Sequence, residues 1–256
     1  MIKSYLKLLS ILGFFTVHAD TFYPKVLLLI IDSDNAPVYA HLRANWRIYM
    51  HNHPIQIESY FLRADPTISK SIIIHNDTIT VKTIENWTTG TLNKTILALS
   101  ALSPKIESNF DFIIRTNLST FYIFDRLINF LQHSPKTNFY SGFLARHNST
   151  IYASGSGFIL SKDVAKVLIH NKQELLNLNE WDDVAIGKFL ALQGIYPVNH
   201  SRIDIPSFSN YEKIIQQALR DSDTFQLRIK LSEPRIPNEI IIKQHALKTF
   251  YPNLQL

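Results

Sequence analysis

The stretch VLLLIIDSDNAP, residues 26 to 37, decides the fold class. Val26 to Ile31 is an unbroken apolar run with no polar alternation. A strand of that kind is covered on both faces, as in a parallel sheet with helices above and below. The run stops at Asp32-Ser33-Asp34-Asn35, a polar turn, and Pro37 suits the first position of a helix expected over about residues 37 to 51. Buried strand, polar turn and helix together make the opening of an α/β unit.

The pattern continues outward from there. Ile55 to Leu62 reads as a second strand, closed by Ala64-Asp65-Pro66, with short strands at Ile72 to Ile74 and Thr78 to Val81. Thr91 to Leu102 has helical apolar spacing, Phe112 to Thr116 is another buried strand, and Tyr122 to His133 an amphipathic helix. Phe139 to Leu144 and Tyr152 to Leu160 read as a strand pair. The second contains Ser154-Gly155-Ser156-Gly157, small residues expected at a bulge or at a close approach of backbone or ligand. Ser161 is placed to cap the next helix. Asp182 to Leu192 is a helix ended by Gly194, and Ile195 to Val198 a short strand. A helix near Tyr211 to Leu219, a strand at Phe225 to Lys230 and a helix near Asn238 to Phe250 complete the chain. Strands alternating with helices predict a Rossmann-like α/β domain over residues 20 to 205, its mostly parallel central sheet flanked by helices. Residues 206 to 256 are expected as a C-terminal subregion packed on the same domain.

Composition narrows the function. The chain has 256 residues, enough for one sizeable core, and no fixed-period repeat. Lys3 and Lys7 precede the apolar run Leu8 to Val17, and Val17-His18-Ala19 fits a small-residue cleavage site. That layout predicts a secretory signal over residues 1 to 19, and hence the secretory pathway or secretion, with an uncleaved anchor as the alternative. The run falls short of the roughly 20 apolar residues of a spanning helix. Loss of Lys3 and Lys7 would lower the net charge from +5 to +3, and no basic stripe marks a nucleic-acid partner. The absence of Cys excludes thiol catalysis and Cys-based zinc sites. The ten histidines include no HExxH pair, there is no Gly-rich phosphate loop, and Ala153 before Ser154 breaks the G-x-S-x-G pattern. Sequons begin at Asn76, Asn86, Asn93, Asn117, Asn148 and Asn199.

Ligands of an open α/β sheet bind outside the carboxyl ends of its strands. Polar groups follow the predicted strands at Asp32-Ser33-Asp34 and at Asn117-Leu118-Ser119, and Asp182-Asp183 opens a late helix. Two of these also have a plainer explanation: turn chemistry for Asp32 and Asp34, and helix capping for Asp182 and Asp183.

Several blocks, in this order, resemble the inverting glycosyltransferases of the β-1,3-galactosyltransferase and Fringe type. Arg43-Ala44-Asn45-Trp46 looks like that family's R-x-T-W segment, and Asp77 to Thr80 with Thr91 to Thr95 its D-I-I…L-T-L-K-T stretch. Tyr152 to Asp163, YASGSGFILSKD, is similar to Y-x-S-G-x-G-Y-V-L-S-R-D, and Asp182 to Gly187 to E-D-V-x-x-G. Phe225 to Arg228 stands where the family has F-H-Y-R. The similarity spans roughly residues 25 to 230. Asn117-Leu118-Ser119 falls where the family carries an acidic, metal-binding triplet, so the acids are replaced by an amide, an apolar group and a hydroxyl.

The resemblance implies the A-type glycosyltransferase fold, a nucleotide-sugar co-substrate expected to be UDP-linked, and a glycan or glycoprotein acceptor. It implies Asp183 as the base, with Asp182 its neighbour. It places Arg43, Lys94, Arg115, Asn117 and Ser119 near the donor, and Ser154, Gly155, Ser156 and Gly157 near the sugar or acceptor. No metal ligand is carried over. Neutral oxygens hold Mn²⁺ or Mg²⁺ far less well than carboxylates, and Gln226 replaces the family's histidine. The expectations are therefore a metal-independent hexosyltransferase or, alternatively, a noncatalytic secreted carbohydrate-binding or effector module on the same fold. An unrelated secreted α/β protein is the third possibility.

Overall fold

The computed structural model describes residues 22 to 254 except residue 233; the expected secretory signal lies outside the described residues. Chain order begins β1 (Val26–Ile31), α1 (Pro37–Tyr49), β2 (Ile57–Ala64), β3 (Ile72–His75), β4 (Thr78–Val81), α2 (Thr89–Ala101), α3 (Ser103–Asn109), β5 (Phe112–Asn117), β6 (Thr120–Tyr122) and α4 (Phe124–Gln132). It continues β7 (Tyr140–His147), β8 (Thr150–Ser161), α5 (Lys162–His170), α6 (Lys172–Leu176), α7 (Asp182–Leu192), β9 (Val198–Asn199), β10 (Arg202–Ile205), α8 (Tyr211–Arg220), β11 (Gln226–Ile229) and α9 (Asn238–Phe250).

The apolar run at 26 to 31 becomes the strand that the two cores share. Val26, Leu28 and Ile30 face a cluster with α1, α4, α8 and α9, while Leu27 and Leu29 face one with α2, α3, α5 and α7. The main sheet has the order β3-β4-β2-β1-β5-β8-β7-β9. β4, β2, β1 and β5 run parallel, and β8 pairs antiparallel with both β5 and β7. This is an α/β fold with a mostly parallel central sheet flanked by helices, as the sequence predicts. A smaller sheet, β10-β11-β6, packs against the first core.

Tertiary pairing moves some boundaries. Tyr122, expected in a helix, ends β6 and pairs with Gln226 across the small sheet, so α4 begins at Phe124. Of the strand expected over 195 to 198, only Val198 is extended; with Asn199 it forms β9, which pairs with Ser141 and Gly142 of β7 at the sheet edge. α3, α6 and β10 lie where no element is expected from sequence. Asp182–Leu192 and Asn238–Phe250 match their expected bounds. Gly194, after α7, has φ 74°, a backbone region that glycine enters without steric cost.

Candidate functional site

The chain runs from β1 to β2 on one side of the sheet and returns to β5 on the other, so its topological switch lies between β1 and β5. The register sets Ile31 beside Asn117, which brings Asp32 and the Asn117-Leu118-Ser119 turn together at the carboxyl ends. A cleft of about 620 Å³, counting space open to solvent, lies there. Its walls include Ser33, Tyr39, Trp87, Ser119, Arg228 and Lys230. Arg228 reaches it because β11 pairs antiparallel with β6, setting Arg228 opposite Thr120.

The cleft's inner wall is an ion-pair network. Asp32 is buried and receives Arg43 through Nε at 2.6 Å and Nη2 at 2.9 Å, and Arg43 also donates to Asp34 at 2.7 Å. Arg63 lies 3.6 Å from Asp32 and pairs with Asp34. Lys94 Nζ donates to the Asp32 carbonyl at 3.0 Å and to both Glu85 oxygens at 2.9 and 2.7 Å. Burial lowers the Lys94 pKa, and Glu85 opposes that shift. A buried charge must be paired, and these acids claim the cations first. Arg43 and Lys94 therefore build the wall, while Arg228 and Lys230 are the basic side chains lining the cleft. The third expected cation, Arg115, pairs with the buried Asp182 at the start of α7.

The floor is the Asn117-Leu118-Ser119 turn. Asn117 Oδ1 accepts the Ser119 amide at 3.0 Å, and its Nδ2 donates to the Gly155 carbonyl at 3.1 Å. The Asn117 amide is thus used on both sides, and a glycan on that nitrogen would displace it. Among the described residues no group of three His, Asp or Glu side chains is placed to hold a metal. The side chains at the triplet position do not fit a divalent cation, because their oxygens are neutral and the amide's is already bonded.

Ser154 to Gly157 form the bulge expected from sequence. β7 pairs Gly142 with Phe158 and Leu144 with Ala153, so Phe143 alone stands opposite four residues of β8. The bulge turns the Gly155 backbone toward the site. Its amide donates to Asp183 Oδ2 at 2.7 Å, while its carbonyl accepts from Arg115 and Asn117. A Cβ at Gly155 would lie 2.8 Å from Arg115 Nη1 and 2.9 Å from Asp183 Oδ2, so a side chain cannot fit there undisturbed. Ser156 Oγ accepts from Arg202 at 2.6 Å and lies 3.3 Å from Ser154 Oγ. Gly157 leaves room for the buried Tyr122 hydroxyl and Gln226 amide, which a Cβ would strike.

The two acids differ in setting. Asp182 is buried against Arg115; burial raises its pKa and Arg115 opposes the rise. Asp183 is half-buried and accepts from the Gly155 and Val184 amides at 2.7 and 3.0 Å. Asp183, Arg115, Asn117 and the bulge are thus assembled at one point. Gln226 Oε1 is engaged by His200, 2.6 Å from its Nε2. Arg228, Lys230, Trp87 and Tyr39 were not expected at the site. The alternation Arg228-Ile229-Lys230 at a strand end was the available signal for the two basic residues, since alternate residues share a face.

No family model and no curated protein matches the chain. Among solved structures it is similar to a glycosyltransferase involved in the glycosylation of the major capsid of PBCV-1. The identity is 11%, the match covers 86% of this chain and 100% of that one, and the TM-score is 0.49.

Proposed function

We propose that this protein is an inverting, metal-independent glycosyltransferase that moves a sugar from a nucleotide donor to a carbohydrate or protein hydroxyl. One observation carries the reading. The half-buried Asp183 carboxylate is held through the single residue Gly155 to Asn117, the floor of a cleft bearing Arg228, Lys230 and exposed Trp87. In this reading the donor diphosphate lies over Asn117 to Ser119 against Arg228 and Lys230. Trp87 and Tyr39 supply aromatic surface for a base. The acceptor oxygen attacks the anomeric carbon as its proton passes to Asp183. The bond from that carbon to the diphosphate oxygen breaks, and the nucleotide diphosphate leaves with the electron pair. Arg228 and Lys230 stabilise the charge that develops on it. Arg115 engages Asp182, leaving Asp183 as the base and Asp182 in a supporting role.

Such an enzyme, led by a secretory signal, would work in a lumen supplied with nucleotide sugars or after export into another cell. No helix among the described residues is long and apolar enough to cross a membrane.

A second reading, a noncatalytic glycan- or nucleotide-binding module, is favoured by one feature: both Asp183 oxygens already accept backbone amides. Calorimetric titration of residues 20 to 256 with UDP, in EDTA and in Mn²⁺, tests the donor site. Binding in EDTA supports it. Binding only with Mn²⁺ sinks the metal-independent mechanism, and binding to no nucleoside diphosphate sinks the donor site. Transfer or donor hydrolysis that survives Asp183→Asn removes Asp183 as the base.

A further inference from the structure

The floor of the cleft rests on a buried lysine. Lys243 of α9 is 1% exposed, and its Nζ donates to the Leu118 carbonyl at 2.8 Å and the Thr120 carbonyl at 2.9 Å. Trp46 Nε1 donates to the same Leu118 carbonyl at 3.2 Å, and Lys243 Nζ lies 5.8 Å from the Trp46 ring centre. Leu118 lines the cleft, so the ammonium lies one hydrogen bond beneath its floor.

Burying an ammonium is costly unless an anion compensates, and the nearby carboxylate is engaged elsewhere. Glu239 accepts from Arg235 at 2.7 and 2.9 Å and from the Leu231 amide at 2.8 Å. Arg235 also reaches Ser119 Oγ at 3.5 Å. On the other side, Arg228 shares Asp204 with Arg202. Lys243, Arg235, Arg228 and Lys230 therefore surround one turn of chain with fewer carboxylates than cations. An anion in the cleft would supply the missing charge.

We propose that Lys243 is a positioning residue of the cleft. Its ammonium clamps the Asn117 to Thr120 turn and, from beneath, gives that turn the positive charge an entering nucleoside diphosphate requires. The inference rests on the cleft being a donor site.

The charged and titratable neighbours are Glu239 and Arg235, Tyr39 beside Arg235, and Lys230. At the ammonium α1 contributes the Trp46 ring and indole N–H, and the turn contributes backbone carbonyls. Burial pulls the Lys243 pKa down to about 7; Glu239 opposes this and Arg235 adds to it. At about pH 8 free protein holds Lys243 largely neutral, and a bound anion restores its proton. Binding then takes up a proton, and affinity falls as pH rises above about 7.

The test is calorimetric titration of residues 20 to 256 with UDP in EDTA at about pH 8, in two buffers of different ionisation heat. Wild type should take up close to one proton. Lys243→Met should bind about tenfold more weakly with no uptake, within the usual range of a coupling between a bound ligand and a group it does not touch. Lys230→Met should keep the uptake. Unchanged affinity and uptake in Lys243→Met would overturn the role of Lys243 alone. UDP binding by wild type with no uptake would do the same, even if the variant fails to fold. Wild type that binds no UDP overturns the donor site itself, and this inference with it.

Discussion

Asp183 and Arg115 meet on the backbone of one residue, Gly155. The carboxylate accepts the Gly155 amide at 2.7 Å, and the guanidinium donates to the Gly155 carbonyl. The same guanidinium neutralises Asp182, the residue before the proposed base. Substitutions here should therefore separate chemistry from architecture.

Asp183→Asn keeps the side chain's shape and an oxygen for the Gly155 amide, and gives up only the short contact to the adjacent Val184 amide. It should lower transfer by roughly 10² to 10⁴, the range of a lost general base, with UDP affinity and melting temperature nearly unchanged. Initial rates and a thermal melt measure this; a variant as active as wild type removes the proposed base.

Arg115→Met strands the Asp182 carboxylate in a buried site and should cost about 3 to 5 kcal/mol in urea unfolding. Adding Asp182→Leu should restore much of the loss, because neither charge then needs a partner. A single variant within about 1 kcal/mol of wild type would mean that the pair is solvated.

Gly155→Ala places a methyl 2.8 Å from Arg115 Nη1 and 2.9 Å from Asp183 Oδ2. Crowding of this kind should cost about 1 to 3 kcal/mol and impair transfer together with stability. The conjunction is the check, since Asp183→Asn is expected to affect transfer alone.

His200 is 3% exposed, its Nδ1 is 3.2 Å from Ser141 Oγ, and burial lowers its pKa to about 4. The ring is neutral in folded and unfolded chains above its ordinary pKa, so its stabilisation is complete there. As pH falls the unfolded chain takes the proton first. Stability is then lost progressively between about pH 6.5 and pH 4, by about 3 kcal/mol in all. Urea midpoints for wild type and His200→Asn across that range should converge toward acid pH. A constant difference would place the ring in solvent.

Arg228→Met with Lys230→Met should weaken UDP binding in EDTA by at least about tenfold and flatten its dependence on salt. Arg43→Met should instead act mainly on stability, since it strips the buried Asp32 of its closest partner. Equal UDP affinity in the double variant would move the diphosphate away from β11.

Local pattern made much of the fold legible. The run at 26 to 31 has no polar position at which to face water, which settles a strand covered on both sides. The small residues 154 to 157 mark the bulge, and Asp182 with Gly194 bracket α7. β6 was not legible, because Thr120 to Tyr122 become a strand only through pairing with β11, about a hundred residues later.

Residue types and order by themselves determined the layered α/β fold, while Asp182, Asp183, Asn117 and Gly155 were grouped as expected site residues only through the resemblance those blocks carry. Tertiary structure decided which charges face the cleft. Arg43, Lys94 and Arg115 are spent on Asp32, Glu85 and Asp182, while Arg228 and Lys230 line the cleft and Lys243 lies beneath its floor. The reason is physical: a side chain's polarity is local, but its counter-ion is chosen by packing between distant segments, and burial makes that choice binding.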